Sequence, residues 1–169
     1  MTKRVIWGAV FILIAALLQS TVLGSLRNYI HAVPDLALDI LVFSAYVNGT
    51  MTGQLTGFFS GFLVDFVSIS PLGFNAFIRT LVGALAGLLK GTFYLDSFLL
   101  PMALCAGATV VKILLYFLLH LVFPAAVPTY DVFSLTLWIE LGMNTLLAPL
   151  LFALLKLFPP LRPGQRENS

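Results

Sequence analysis

The chain has 169 residues, of which 60% are hydrophobic and only 9% charged, with a formal net charge of +2. Ordinary soluble domains are about one-quarter charged, so this composition excludes a water-solvated globule and points to lipid as the surrounding solvent. The small, scattered positive charge gives no basis for a nucleic-acid partner.

A membrane helix needs about 20 mainly apolar residues to cross roughly 30 Å of hydrocarbon. Six stretches fit that requirement, at 5–23, 34–47, 51–68, 74–89, 97–122 and 135–157, the second and fourth being short. They predict an all-α membrane protein, a six-transmembrane-helix bundle forming one domain over residues 1–158. Residues 159–169, with Pro159, Pro160 and Pro163 among polar residues, read as a short disordered cytoplasmic tail. Neither of the longer loops, 24–33 and 123–134, is long enough to bury a core of its own.

The first stretch follows Lys3 and Arg4 as a signal peptide would, but five more stretches follow it and no small-residue cleavage pattern is convincing. It is read as an uncleaved helix with its N-terminus inside. Loops rich in Lys and Arg stay cytoplasmic, and Lys3, Arg4, Lys90, Lys156, Arg162 and Arg166 then all fall on the inner side, with only Arg27 outside. Both termini are expected in the cytoplasm. The second stretch carries Asp39 and ends at Asn48-Gly49-Thr50, a glycosylation sequon that this topology makes a tight cytoplasmic turn.

The third stretch holds a ladder of glycines at a four-residue step, Gly49, Gly53, Gly57 and Gly61, and the next step lands on Asp65. Each glycine in a helix costs roughly 1 kcal/mol relative to alanine, so the run makes sense where another backbone approaches closely. The fourth stretch repeats the theme with Gly83, Gly87 and Gly91 and carries Arg79. Only a short turn around Ser70-Pro71-Leu72-Gly73 joins the two, which makes them antiparallel neighbours. Gly53, Gly57, Gly61, Gly83 and Gly87 are therefore helix-packing candidates, facing each other or a second protein.

The fifth stretch contains Cys105, Lys112 and His120, and the sixth contains Glu140. Charges inside spans are costly and face a bundle interior or a cavity. By depth, Asp39, Asp65, Arg79, Lys112 and Glu140 all fall in the outer half of the membrane, where Lys112 is long enough to snorkel outward. Two readings follow: an outward-facing pocket or docking face, or internal neutralisation through Asp65–Arg79 and Lys112–Glu140 pairs. His31 and His120 lack ligand neighbours at metal spacing, Cys105 reads as a small core residue, and no nucleophile–base motif or phosphate loop is present. Neither metal, cofactor nor enzymatic activity is expected. Trp7, Tyr94, Tyr130 and Trp138 read as interface anchors.

Pro34-Asp35-Leu36, the ladder from Gly53 to Asp65, the turn Pro71-Leu72-Gly73 and the run Asn144-Thr145-Leu146-Leu147-Ala148-Pro149 together resemble the rod shape-determining MreD family. The resemblance implies a non-enzymatic scaffold or regulatory subunit of the bacterial inner-membrane machinery for cell elongation. It implies MreC as the partner, with the polymerase RodA and its class B penicillin-binding protein in the wider complex and the MreB cytoskeleton acting indirectly. Asn144 joins the five charged residues as a candidate for partner binding or for a pocket. The family is also similar to the six-helix substrate-binding subunits of energy-coupling-factor vitamin transporters. That similarity keeps a transport subunit as the alternative, although Ala9, Ala15 and Ala16 lack the clean four-residue spacing expected for docking a coupling subunit.

Overall fold

The computed structural model describes residues 2–19, 33–67, 71–92, 98–125, 127 and 134–158, with side chains from Val5 onward. Arg27, His31, Tyr94, Tyr130, Arg162, Arg166 and the tail 159–169 lie outside the described residues, as do the side chains of Lys3 and Arg4. Among the described residues six helices follow one another: α1 (Thr2–Leu18), α2 (Leu36–Asn48), α3 (Thr50–Val67), α4 (Phe74–Leu88), α5 (Leu99–Val122) and α6 (Leu135–Lys156).

α2 is the axis of the bundle. All eleven residues from Ala37 to Val47 are buried, and the helix touches α1, α3, α4, α5 and α6. A helix buried on every side has no face to give to solvent, so the remaining helices pack around it. Its 13 residues span about 20 Å at 1.5 Å per residue, less than the hydrocarbon thickness. The edge-to-face pair of Phe43 and Phe152, with centroids 5.1 Å apart, ties α2 to α6.

Two helices, α5 and α6, are long and apolar enough to cross a membrane by length and composition alone. α1, α2 and α4 contribute shorter apolar stretches. α3 has the length, 18 residues, but Thr50, Thr52, Gln54, Thr56, Ser60 and Asp65 dilute its apolar character. The six expected stretches thus all become helices, while only two of them carry an unambiguous membrane-spanning composition. Of the others, α2 is the one buried along its length, from Ala37 to Val47, so its shortness goes with a place inside the bundle.

α2 and α3 are separated by the single residue Gly49, whose φ of +97° is one that L side chains rarely adopt. The sequon is therefore a helix joint, and the Asn48 amide turns back to the Ser44 carbonyl at 3.0 Å. Between α3 and α4 the glycine ladder closes on backbone. A Cβ built on Gly53 would collide with the Gly83 carbonyl, and one on Gly57 with the Arg79 carbonyl. One on Gly61 would lie 2.6 Å from Ala76 Cα, and one on Gly87 2.5 Å from Thr50 Cα. Real Cβ contacts do not come that close, so the stripe faces α4 within the same chain. Gly91 is not part of it: it lies beyond the end of α4 at φ +77° with open space around it.

α6 contains Pro149, whose ring removes one intrahelical hydrogen bond. Pro101 sits in the first turn of α5, where the missing N–H costs little. Beyond α5, His120 Nδ1 lies 2.8 Å from the Val127 carbonyl and holds the chain that leaves the helix.

Candidate functional site

The polar residues of the interior gather where α2 begins. Asp35 caps that helix, accepting a hydrogen bond from the Leu38 N–H at 3.0 Å, as an aspartate just before an apolar run is suited to do. The same carboxylate takes Lys112 Nζ of α5 at 2.7 Å and faces Arg79 Nη2 of α4 at 3.7 Å. Lys112 also donates to Glu140 Oε1 of α6. The Asp35 backbone N–H donates to Asn144 Oδ1 at 2.7 Å, and the Asn144 amide donates to Thr109 Oγ1 at 3.0 Å. Thr109 in turn donates to the Cys105 carbonyl at 2.8 Å. Gln19, at the end of α1, accepts from the Ala37 N–H and donates to the Pro34 carbonyl. Five helices are thus joined through one aspartate and its flanking backbone.

Of the six pocket candidates, Arg79, Lys112, Glu140 and Asn144 belong to this network. Asp39 lies one turn further along α2, fully buried, with the Cys105 thiol beside it. Asp65 is elsewhere. Its carboxylate accepts from the Gly73 N–H at 2.9 Å, the Asn75 N–H at 2.9 Å, the Ala76 N–H at 3.2 Å and the Asn75 side-chain amide at 2.9 Å.

This corrects the expected Asp65–Arg79 pair. A carboxylate two residues from the end of α3 faces the first turn of α4, where three backbone N–H groups, the Asn75 side-chain amide and the helix dipole receive it. Arg79, more than a turn further into α4, finds its acceptor in Asp35 instead. The Lys112–Glu140 pair is present, but Lys112 does not snorkel outward: its side chain is only 11% exposed and spans two carboxylates.

Asp35 is the residue that counting charges within spans passed over. Its signal was the Pro34-Asp35-Leu36 sequence, an acidic residue placed to cap a helix. Among the described residues no group of three His, Cys, Asp or Glu side chains is placed to hold a metal ion.

The outside of the bundle is different in kind. An apolar groove of about 420 Å³ between α1 and α3 is walled by Val5, Ala9, Leu13, Leu55, Phe59 and Leu63. A second, of about 290 Å³ between α4 and α5, is walled by Val82, Ala86, Leu104, Gly107, Ala108 and Val111. A ridge of exposed rings, Phe58, Phe59, Phe62 and Phe66, runs along α3.

No curated protein and no solved structure matches the chain, so the expected likeness to transporter substrate-binding subunits has no matching structure behind it. The family comparison does match, to the rod shape-determining protein MreD, over residues 1–158. That range runs from α1 through α6 and takes in the α2 cap, the glycine contact and the Asn144 network, and the chain belongs to the MreD family of rod shape-determining membrane proteins.

Proposed function

We propose that the protein is a non-enzymatic scaffold of the bacterial inner membrane that binds the membrane helix and juxtamembrane segment of MreC. Through MreC it helps control RodA and its class B penicillin-binding protein, alongside the MreB cytoskeleton. In this reading residues 1–158 form one domain, all six helices lie within the bilayer and both termini are cytoplasmic. The observation that carries it is the family match over residues 1–158.

The geometry is consistent with that role. Arg79, Lys112, Asp35 and Glu140 are engaged with one another, which makes the interior a lock more than a reception site for an outside molecule. The exterior offers apolar grooves of a kind that a partner's membrane helix fills by packing.

Isolation of the tagged protein from native membranes in mild detergent tests the reading. A single-span protein with a periplasmic domain, MreC, is expected to co-elute in stoichiometric amount. Co-elution of an ATPase-linked coupling protein in its place would overturn the scaffold and establish the transport alternative.

A further inference from the structure

Arg79 is the cation that the polar network leaves unfilled. Its Nη1 is buried with no acceptor among the described residues, and its Nη2 stands 3.7 Å from Asp35, beyond hydrogen-bond distance. Lys112, by contrast, donates to two carboxylates. A guanidinium carries its donors in a rigid planar fork, and leaving them unmet away from water is costly. Asp35 is already taken, by Lys112 at 2.7 Å and by the Leu38 N–H at 3.0 Å.

The face of α4 that carries Arg79 leads into the groove between α4 and α5. Side chains seven residues apart lie on one helix face, so Arg79 stands two turns from Ala86, with Val82 between them. The groove runs from Leu89 and Leu100 at one end to Val82 and Val111 at the other. Arg79 lies one turn beyond Val82, and Lys112 follows Val111 directly, so the apolar groove ends at the polar network. In the topology proposed above this is the outer end. A Cβ on Gly107 meets nothing within 4 Å, which leaves backbone open to a helix packing closely from outside. The groove between α1 and α3 ends differently. The charged residue beyond Leu63 on α3 is Asp65, and its carboxylate is filled by the start of α4.

We infer that the α4–α5 groove, and not the α1–α3 groove, receives the partner's membrane helix, and that Arg79 donates to a carboxylate or carboxamide side chain which that helix carries where it passes the groove's outer end. This rests on the scaffold reading above and adds the groove and the chemistry of the contact. The long stem of Arg79 lets its guanidinium turn from Asp35 to the mouth of the groove with the backbone of α4 unmoved. Asp35 loses little by this, since it keeps Lys112 and the Leu38 N–H. The fork of a guanidinium matches the two oxygens of a carboxylate, and inside a bilayer water does not compete for the bond.

Native mass spectrometry of the full chain released from native membranes in mild detergent, with MreC measured per folded protein, tests this through three variants. Gly107→Leu fills the α4–α5 groove, Ala9→Leu fills the α1–α3 groove, and Arg79→Lys keeps the charge but loses the fork. Gly107→Leu and Arg79→Lys are expected to retain at least about tenfold less MreC than wild type, the factor that one hydrogen bond to a charged group supplies, and Ala9→Leu to retain as much as wild type. Full retention by Gly107→Leu or by Arg79→Lys, or loss from Ala9→Leu instead, would overturn the inference and leave the scaffold reading standing. Absence of MreC from the wild type would overturn both. A second copy of the chain or a phospholipid displaced by Gly107→Leu, with MreC retained, would also overturn the inference. Where Arg79→Lys does not fold, the partner carries the test: Leu in place of each Asp, Glu, Asn and Gln in the outer half of MreC's membrane helix is expected to reproduce the loss at one position, and no loss at any of them would overturn the inference.

Discussion

Gly57→Leu is expected to abolish recovery of folded, monodisperse protein, and Gly57→Ala to lower its thermal stability measurably. A Cβ at this position meets the Arg79 carbonyl and its carbon, 2.7 Å away, which belong to the backbone of α4 and cannot rotate aside as a side chain would. Overpacking a well-filled interface costs about 1 to 3 kcal/mol where side chains can yield, so a leucine forced against backbone should exceed that range. Gly107→Leu provides the control. It has open space in place of a neighbour, lies on the outer groove and should leave the folded yield unchanged. Size-exclusion profiles and thermal unfolding in detergent compare the three directly. Equal yields for Gly57→Leu and Gly107→Leu would mean that α3 and α4 do not meet through this stripe.

The second large effect is expected at Lys112. Lys112→Met keeps the bulk and removes the charge, leaving Glu140 without the cation it faces and Asp35 with only the 3.7 Å contact to Arg79. Removing one partner of a buried pair costs about 3 to 5 kcal/mol, since the surviving charge stays buried. Adding Glu140→Gln to Lys112→Met should recover part of the loss, because the group left behind is then neutral. A Lys112→Met protein as stable as wild type, by thermal unfolding, would show that these side chains do not hold the helices together.

How far the sequence could be read depended on whether a feature's cause was local. The glycine ladder was legible because a four-residue step marks one helix face and because the turn at Pro71-Leu72-Gly73 is too short to let α3 and α4 separate. What the ladder faced needed the three-dimensional contact of Gly53 with Gly83. The six helices were legible from apolar runs, but the central place of α2 was not: a short apolar helix looks the same at the axis of a bundle as at its edge, and only its burial on every side distinguishes them.

The charges were the hardest to pair. Asp65 and Arg79 are close in the chain and opposite in sign, yet free backbone N–H groups at the start of α4 compete for the carboxylate more effectively than a guanidinium more than one turn away. Asp35 stands next to the start of the second apolar stretch and caps the helix that forms there. Nothing in its sequence neighbourhood foretold that Lys112 and Arg79, from two distant helices, would converge on it.

On the function proposed, the interior locks the bundle while its outer grooves receive the membrane helix of MreC. Photo-crosslinking in living cells that depend on this protein for rod shape tests it most directly. A crosslinkable amino acid is placed at Leu55 in the α1–α3 groove, at Gly107 in the α4–α5 groove and at Ala45 on the buried axis. The predicted result is a covalent adduct with MreC from at least one groove position and none from Ala45, with rod shape retained by the groove variants. Rod-shaped cells that yield no MreC adduct from either groove would contradict it.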